Sequence, residues 1–75
     1  MADTVLDARN LVCPLPILKT KKALRGVQIG QTVEVLATDP NTAADMTAFC
    51  EARGHTLLSH DQDGETHRFL VRRES

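Results

Sequence analysis

Two prolines, Pro14 and Pro16, stand two residues apart directly before a stretch of helix-forming residues. A helix interior cannot hold such a pair. Each proline removes a backbone donor, and its ring clashes with the carbonyl four residues back. The first turn can hold it, because the first four N–H groups of a helix have no intrahelical partner. The pair therefore marks where a helix begins, predicted over residues 14–25, and puts Cys13 at its N-cap or just before it.

The rest of the chain is read outward from that helix. Thr4-Val5-Leu6 reads as a short strand ending near Asp7, and residues 8–13 read as a loop. Gly30 marks a turn. Residues 32–38 are β-branched and apolar and read as a strand, which Asp39-Pro40 breaks. Thr42 with Asp45 three residues on resembles a capping box, opening a helix that runs to Arg53, with Gly54 as its C′ residue. Residues 55–60 and 66–72 read as strands joined by a hairpin turn at Asp63-Gly64. The order is βαβαββ. The strand–helix–strand start favours parallel pairing of the first two strands. The expected fold is an α/β two-layer sandwich, a mixed four-stranded sheet with two helices on one face. With 75 residues there is room for a single domain, 1–75. Leu, Ile, Val and Phe make up about a quarter of the chain, above the level at which disorder becomes the default.

At 100° per residue, Ile17, Thr20, Ala23, Leu24 and Val27 form the core stripe of the first helix. Leu15 and Leu18 fall on the opposite side, near Lys22 and Arg25. They read either as ordinary surface leucines or as a small docking spot beside Cys13, to which Lys19, Lys22 and Arg25 add positive charge. In the second helix Ala43, Met46, Phe49, Cys50 and Arg53 share a face. Cys50 on that stripe reads as a buried structural thiol.

Composition excludes several functions. Nine Lys+Arg against ten Asp+Glu give a formal net charge of −1, without the basic footprint of a nucleic-acid binder. Two phenylalanines, with no Trp or Tyr, leave little to stack bases on. No apolar run reaches membrane-span length, and Met1–Asp7 does not read as a signal peptide. The chain is expected to be cytoplasmic and monomeric, with its two cysteines reduced. It is too small for a deep cleft, so a carrier or binding module is a better expectation than a self-contained enzyme.

Cys is not a favoured capping residue. A thiol in that position suggests a chemical use. The helix dipole and the free N–H groups of Leu15 and Ile17 favour an anion, which predicts a lowered thiol pKa at Cys13. A thiolate attacks disulfide or persulfide sulfur. No Cys-x-x-Cys is present, which argues against a thioredoxin-like dithiol cycle. Cys50, His55 and His60 lack zinc-ligand spacing, and His55 and His60, five apart on a strand, should face opposite ways. The histidines read as surface or hairpin residues. No metal and no cofactor are expected.

Leu6-Asp7-Ala8-Arg9-Asn10-Leu11-Val12-Cys13-Pro14-Leu15-Pro16 resembles the signature of the TusA/SirA family of sulfur-carrier proteins, with its Cys-Pro-x-Pro motif. The resemblance extends over the whole chain, through Ala37-Thr38-Asp39-Pro40, Phe49-Cys50 and Gly54-His55. One departure is Asn10, where the family usually has Gly; Asn tolerates the positive φ that a glycine there implies. The resemblance implies a βαβαββ sandwich. It also implies that Cys13 accepts sulfane sulfur as a persulfide and passes it to a partner cysteine. The donor would be a cysteine desulfurase or a rhodanese, and the acceptor a DsrE-like or other sulfurtransferase. The pathway would be tRNA thiolation, molybdenum-cofactor-related sulfur supply or sulfur oxidation. Two other classes stay open at this point: a redox or regulatory adaptor forming mixed disulfides through Cys13, and a structural module that binds through the open sheet face.

Overall fold

The computed structural model describes residues 3–75. Its elements are β1 (Thr4–Ala8), α1 (Leu15–Arg25), β2 (Thr32–Ala37), α2 (Thr42–Arg53), β3 (Thr56–Asp63) and β4 (Thr66–Arg72). They form one four-stranded sheet in the order β1-β2-β4-β3. β1 and β2 are parallel; β4 runs antiparallel to both β2 and β3. The expected βαβαββ order and mixed sheet are both present.

Alternation along the central strands defines the core. Val33, Val35 and Ala37 of β2 are buried, as are His67, Phe69 and Val71 of β4. The residues between them point to the other sheet face, where Val5 is exposed and Arg68 meets Glu34 at 3.4 Å. The helices cover the first face. α1 contributes Thr20 and Leu24, with Ile17 and Ala23 packed beside them, and Val27 follows just beyond it. α2 contributes Met46 and Cys50, with Ala43 and Phe49 alongside. The predicted stripes of both helices thus pack inward, apart from Arg53, which is exposed. Among the described residues, no helix is long and apolar enough to cross a membrane.

Several local expectations are corrected. β1 continues to Ala8 because its ladder with β2 continues, Asp7 beside Leu36 and Ala8 beside Ala37. Asn41, not Thr42, is the N-cap of α2, and it makes no side-chain cap. Thr42 is buried instead, its hydroxyl without a hydrogen-bond partner. β3 extends to Asp63, which pairs with Thr66, so the hairpin turn is Gly64-Glu65 and the positive φ (61°) falls on Gly64. A register shift between Leu57 and Ser59 inserts Leu58 as an extra residue. That bulge reverses the facing pattern beyond it and cancels the parity argument for His55 and His60. His67 is not a surface residue. It shares the inward face of β4 with Phe69, and its Nδ1 lies 2.9 Å from His60 Nε2. The His60 ring stacks on Phe69, with centroids 4.5 Å apart.

Candidate functional site: Cys13 and its two aspartates

Cys13 is exposed on the loop between β1 and α1. Two neighbours, Thr38 and Asp39, hold that loop. Asn10 adopts φ 66°, the left-handed geometry expected at the position where Asn replaces Gly, and its N–H donates to Thr38 Oγ1 at 2.9 Å. The backbone N–H of Cys13 donates to Asp39 Oδ2 at 2.8 Å. The other oxygen of that carboxylate accepts the Asn41 N–H at 3.0 Å. Asp39 therefore fastens the cysteine loop to the loop that opens α2. These two hydrogen bonds hold the Asp39 carboxyl below the usual carboxylate range.

The helix cap lies one residue later than the sulfur. Pro14 occupies the N-cap of α1, and Cys13 precedes it across a cis peptide bond. Pro16 is fully buried in the first turn, which sequence reasoning treated only as a start signal. The amides expected to attract a thiolate are already used. Leu15 N–H donates to Val12 O at 2.9 Å, and Ile17 N–H donates to Pro14 O at 3.1 Å.

The sulfur instead faces an acid. Cys13 Sγ donates to Asp45 Oδ2, 2.6 Å away, across the junction of the α1 loop with the first turn of α2. This hydrogen bond, joined by partial desolvation and by the charges of Asp45 and Asp39, pushes the Cys13 thiol up. The expectation of a lowered thiol pKa is thus overturned. The helix-end amides are occupied, and two carboxylates oppose a negative sulfur. Cys50 is also pushed up, by burial alone, as a core thiol should be.

Beside the sulfur, Pro14, Ile17, Ala48 and Phe49 line an apolar concavity of about 400 Å³ that includes Asp45. On the other side, residues 10–13 and Thr38–Asn41 border a second open hollow of about 540 Å³. Cys13 stands on the ridge between them.

Comparison with known proteins places this geometry in a family. A family model described as sulfurtransferase TusA matches residues 4–73. The chain belongs to the TusA family. It is similar to the sulfur carrier protein TusA of Allochromatium vinosum, with 41% identity over 71 residues, covering 95% of this chain and 93% of that protein. YrkI of Bacillus subtilis is 42% identical over 72 residues, covering 96% of both chains. YrkF of the same organism is 40% identical, and the chain spans 39% of its length. The crystal structure of a SirA-like protein from Desulfitobacterium hafniense superposes with a TM-score of 0.83 at 23% identity, covering 96% of this chain and 99% of that one, a likeness of fold.

In this TusA-family chain the residues predicted for partner docking separate into two groups. Leu15 and Leu18 are exposed on the outer side of α1, together with Lys19 and Lys22. Val12, 67% exposed next to Cys13, is a further apolar residue at the sulfur that the sequence did not mark. Arg25 lies two turns further on, where it lines a different cleft. Cys50, His55 and His60 are not brought together. Cys50 is in the core, His55 accepts the Glu74 N–H, and His60 pairs with His67. Asp39 and Asp45 were the residues not singled out for the sulfur. Each is far from Cys13 in sequence, and the signal available, an acid in the turn before α2 and another in its first turn, looked like ordinary capping chemistry.

Proposed function

We propose that the protein is a sulfur carrier that accepts sulfane sulfur on Cys13 and delivers it to a cysteine of a partner protein. The observation that carries this reading is the exposed Cys13 thiol, set on a loop fixed by Asp39 and Pro16 and facing Asp45. Membership of the TusA family and similarity to a protein named as a sulfur carrier support it.

The chemistry is thiol exchange. Cys13, deprotonated, attacks the outer sulfur of a donor persulfide. The new bond joins Cys13 Sγ to that sulfur, the donor's S–S bond breaks, and the donor leaves as a thiolate. In delivery a partner thiolate attacks the outer sulfur, and Cys13 leaves. The sulfane sulfur moves without a net oxidant or reductant. A cysteine desulfurase or a rhodanese fits the donor step, and a DsrE-like protein or another sulfurtransferase fits the acceptor step.

Asp45 gives the empty and loaded states different contacts. In the empty state the thiol keeps its proton and donates a hydrogen bond to Asp45. A resting thiol is a poor nucleophile, so stray electrophiles react slowly with it. A donor protein that closes on the apolar concavity displaces this hydrogen bond and frees the sulfur. In the loaded state Sγ carries the second sulfur instead of a hydrogen and donates nothing to Asp45.

The test is a pulse and chase. The protein is loaded by a cysteine desulfurase with radiolabelled cysteine, repurified, and mixed with a reduced acceptor. Label should pass to the acceptor and leave Cys13. A protein that takes up no label, yet forms mixed disulfides with the acceptor under oxidant, would be the redox adaptor instead.

A further inference from the structure

At the far end of α1 from Cys13, about 16 Å away at 1.5 Å per residue, the last turns of both helices and the residues after β4 enclose a cleft of about 430 Å³. Lys21, Arg25, Arg53 and Arg73 line it, four of the nine Lys and Arg residues of a chain whose net charge is −1. Phe49 and His55 form an aromatic wall, with ring centroids 5.8 Å apart. Its volume is in the range of small-molecule sites, and its lining is predominantly polar, with four cations converging beside the aromatic wall.

Among the described residues no Asp or Glu side chain forms an ion pair with these cations; the ion pairs join Arg9 to Asp7, Arg68 to Glu34 and Arg72 to Glu74. Lys21 and Arg25 are four apart on α1, a spacing at which like charges repel. Basic side chains do complement helix C-termini, but that explains the last-turn Arg25 and Arg53 and leaves Lys21 and Arg73 over. Arg73 is held in place by donating from Nη1 to Val27 O at 2.6 Å and from Nε to Ser75 O at 3.0 Å. His55 registers the local potential. Burial, then the charge of Arg73, with Arg53 adding and Glu74 opposing, holds its ring below the usual histidine range. Its Nδ1 accepts the Glu74 N–H at 3.2 Å. Glu74 is itself held by Arg72 and Thr56, and Ser75, whose oxygen accepts from Arg73, is part of the cleft lining.

We infer that this cleft binds a small phosphate-chain ligand, with the phosphates between Arg25, Arg53 and Lys21 and the Phe49–His55 wall beside them. A carboxylate brings one charge, whereas four cations in one cleft call for several charges on a compact group, and guanidinium forks match phosphate oxygens. The source is either a free inorganic chain or a nucleotide, whose base would add contact with the aromatic wall.

The test is an NMR titration of the full chain at constant ionic strength, with pyrophosphate and, separately, with ADP. Saturable shifts are expected at residues 25, 53, 55 and 73. The His55 ring should titrate at higher pH with the ligand bound than without. The double variant Arg25→Gln/Arg53→Gln should weaken binding at least tenfold, while Lys19→Gln/Lys22→Gln, with the same loss of charge on the exposed side, leaves it unchanged. ADP binding more tightly than pyrophosphate assigns a nucleotide; equal binding assigns a phosphate chain alone. Shifts that never saturate, or equal weakening in both double variants, would show general ionic attraction and overturn the proposal.

Discussion

Cys13 Sγ donates a hydrogen bond to Asp45 Oδ2 over 2.6 Å, so the nucleophile proposed for sulfur transfer rests against a carboxylate. That contact keeps the thiol protonated at neutral pH. Alkylation of Cys13 should therefore rise with pH along a curve displaced above that of a free cysteine, whose pKa is about 8.5. Asp45→Asn removes the negative charge and the strongest acceptor. The thiol pKa should fall and neutral-pH alkylation should become severalfold faster. An unchanged rate in Asp45→Asn would mean that the carboxylate does not control the sulfur.

Asp39 makes the loop sensitive to acid. Its carboxyl is depressed by the Cys13 and Asn41 amides, so the ionised form is stabilised by folding. The sign follows from linkage. This contribution is fully present above the ordinary carboxylate value of about 3.9 and is lost as pH falls through the lower folded value. The protection of the Cys13 amide against hydrogen exchange, taken relative to its intrinsic rate at each pH, should fall over that window. In Asp39→Ala that protection should be low at every pH, with the sheet amides little changed.

Cys50 should serve packing alone. It is buried beside Met46, and its thiol is pushed up by desolvation. Cys50→Ser puts a hydroxyl in an apolar site and should cost about 1–3 kcal/mol in denaturant unfolding. Sulfur loading per folded molecule should be retained. A loss of loading in a folded Cys50→Ser would give this thiol a part in the transfer.

Met46, fully buried under the helices, tests the packing that brings Asp45 to the sulfur. Met46→Ala should destabilise the fold by about 2–5 kcal/mol. Because α2 carries Asp45 one residue away, the alkylation curve of Cys13 should also shift toward that of a free cysteine.

What the sequence made legible followed from local rules. Pro14 and Pro16 marked the start of α1, and Gly54, at φ 73°, marked the end of α2. A run of β-branched and apolar residues marked β2. Asn10 took the positive φ that its place implied. What escaped depended on long-range contacts or on turns without a strong signal. The bulge at Leu58 has no Gly or Pro to announce it. The Leu15 and Ile17 amides are used by Val12 and Pro14, a detail of loop geometry. Asp39 and Asp45 reach Cys13 from 26 and 32 residues away, only once α2 has packed beside α1. Local reasoning about a helix end predicted an activated thiolate; tertiary contacts set a guarded thiol there instead.

The most direct measurement is intact mass after incubation with a cysteine desulfurase and cysteine. The protein should gain the mass of one sulfur, lose it on reduction, and gain nothing in Cys13→Ser. The same gain in Cys13→Ser would contradict a carrier built on Cys13.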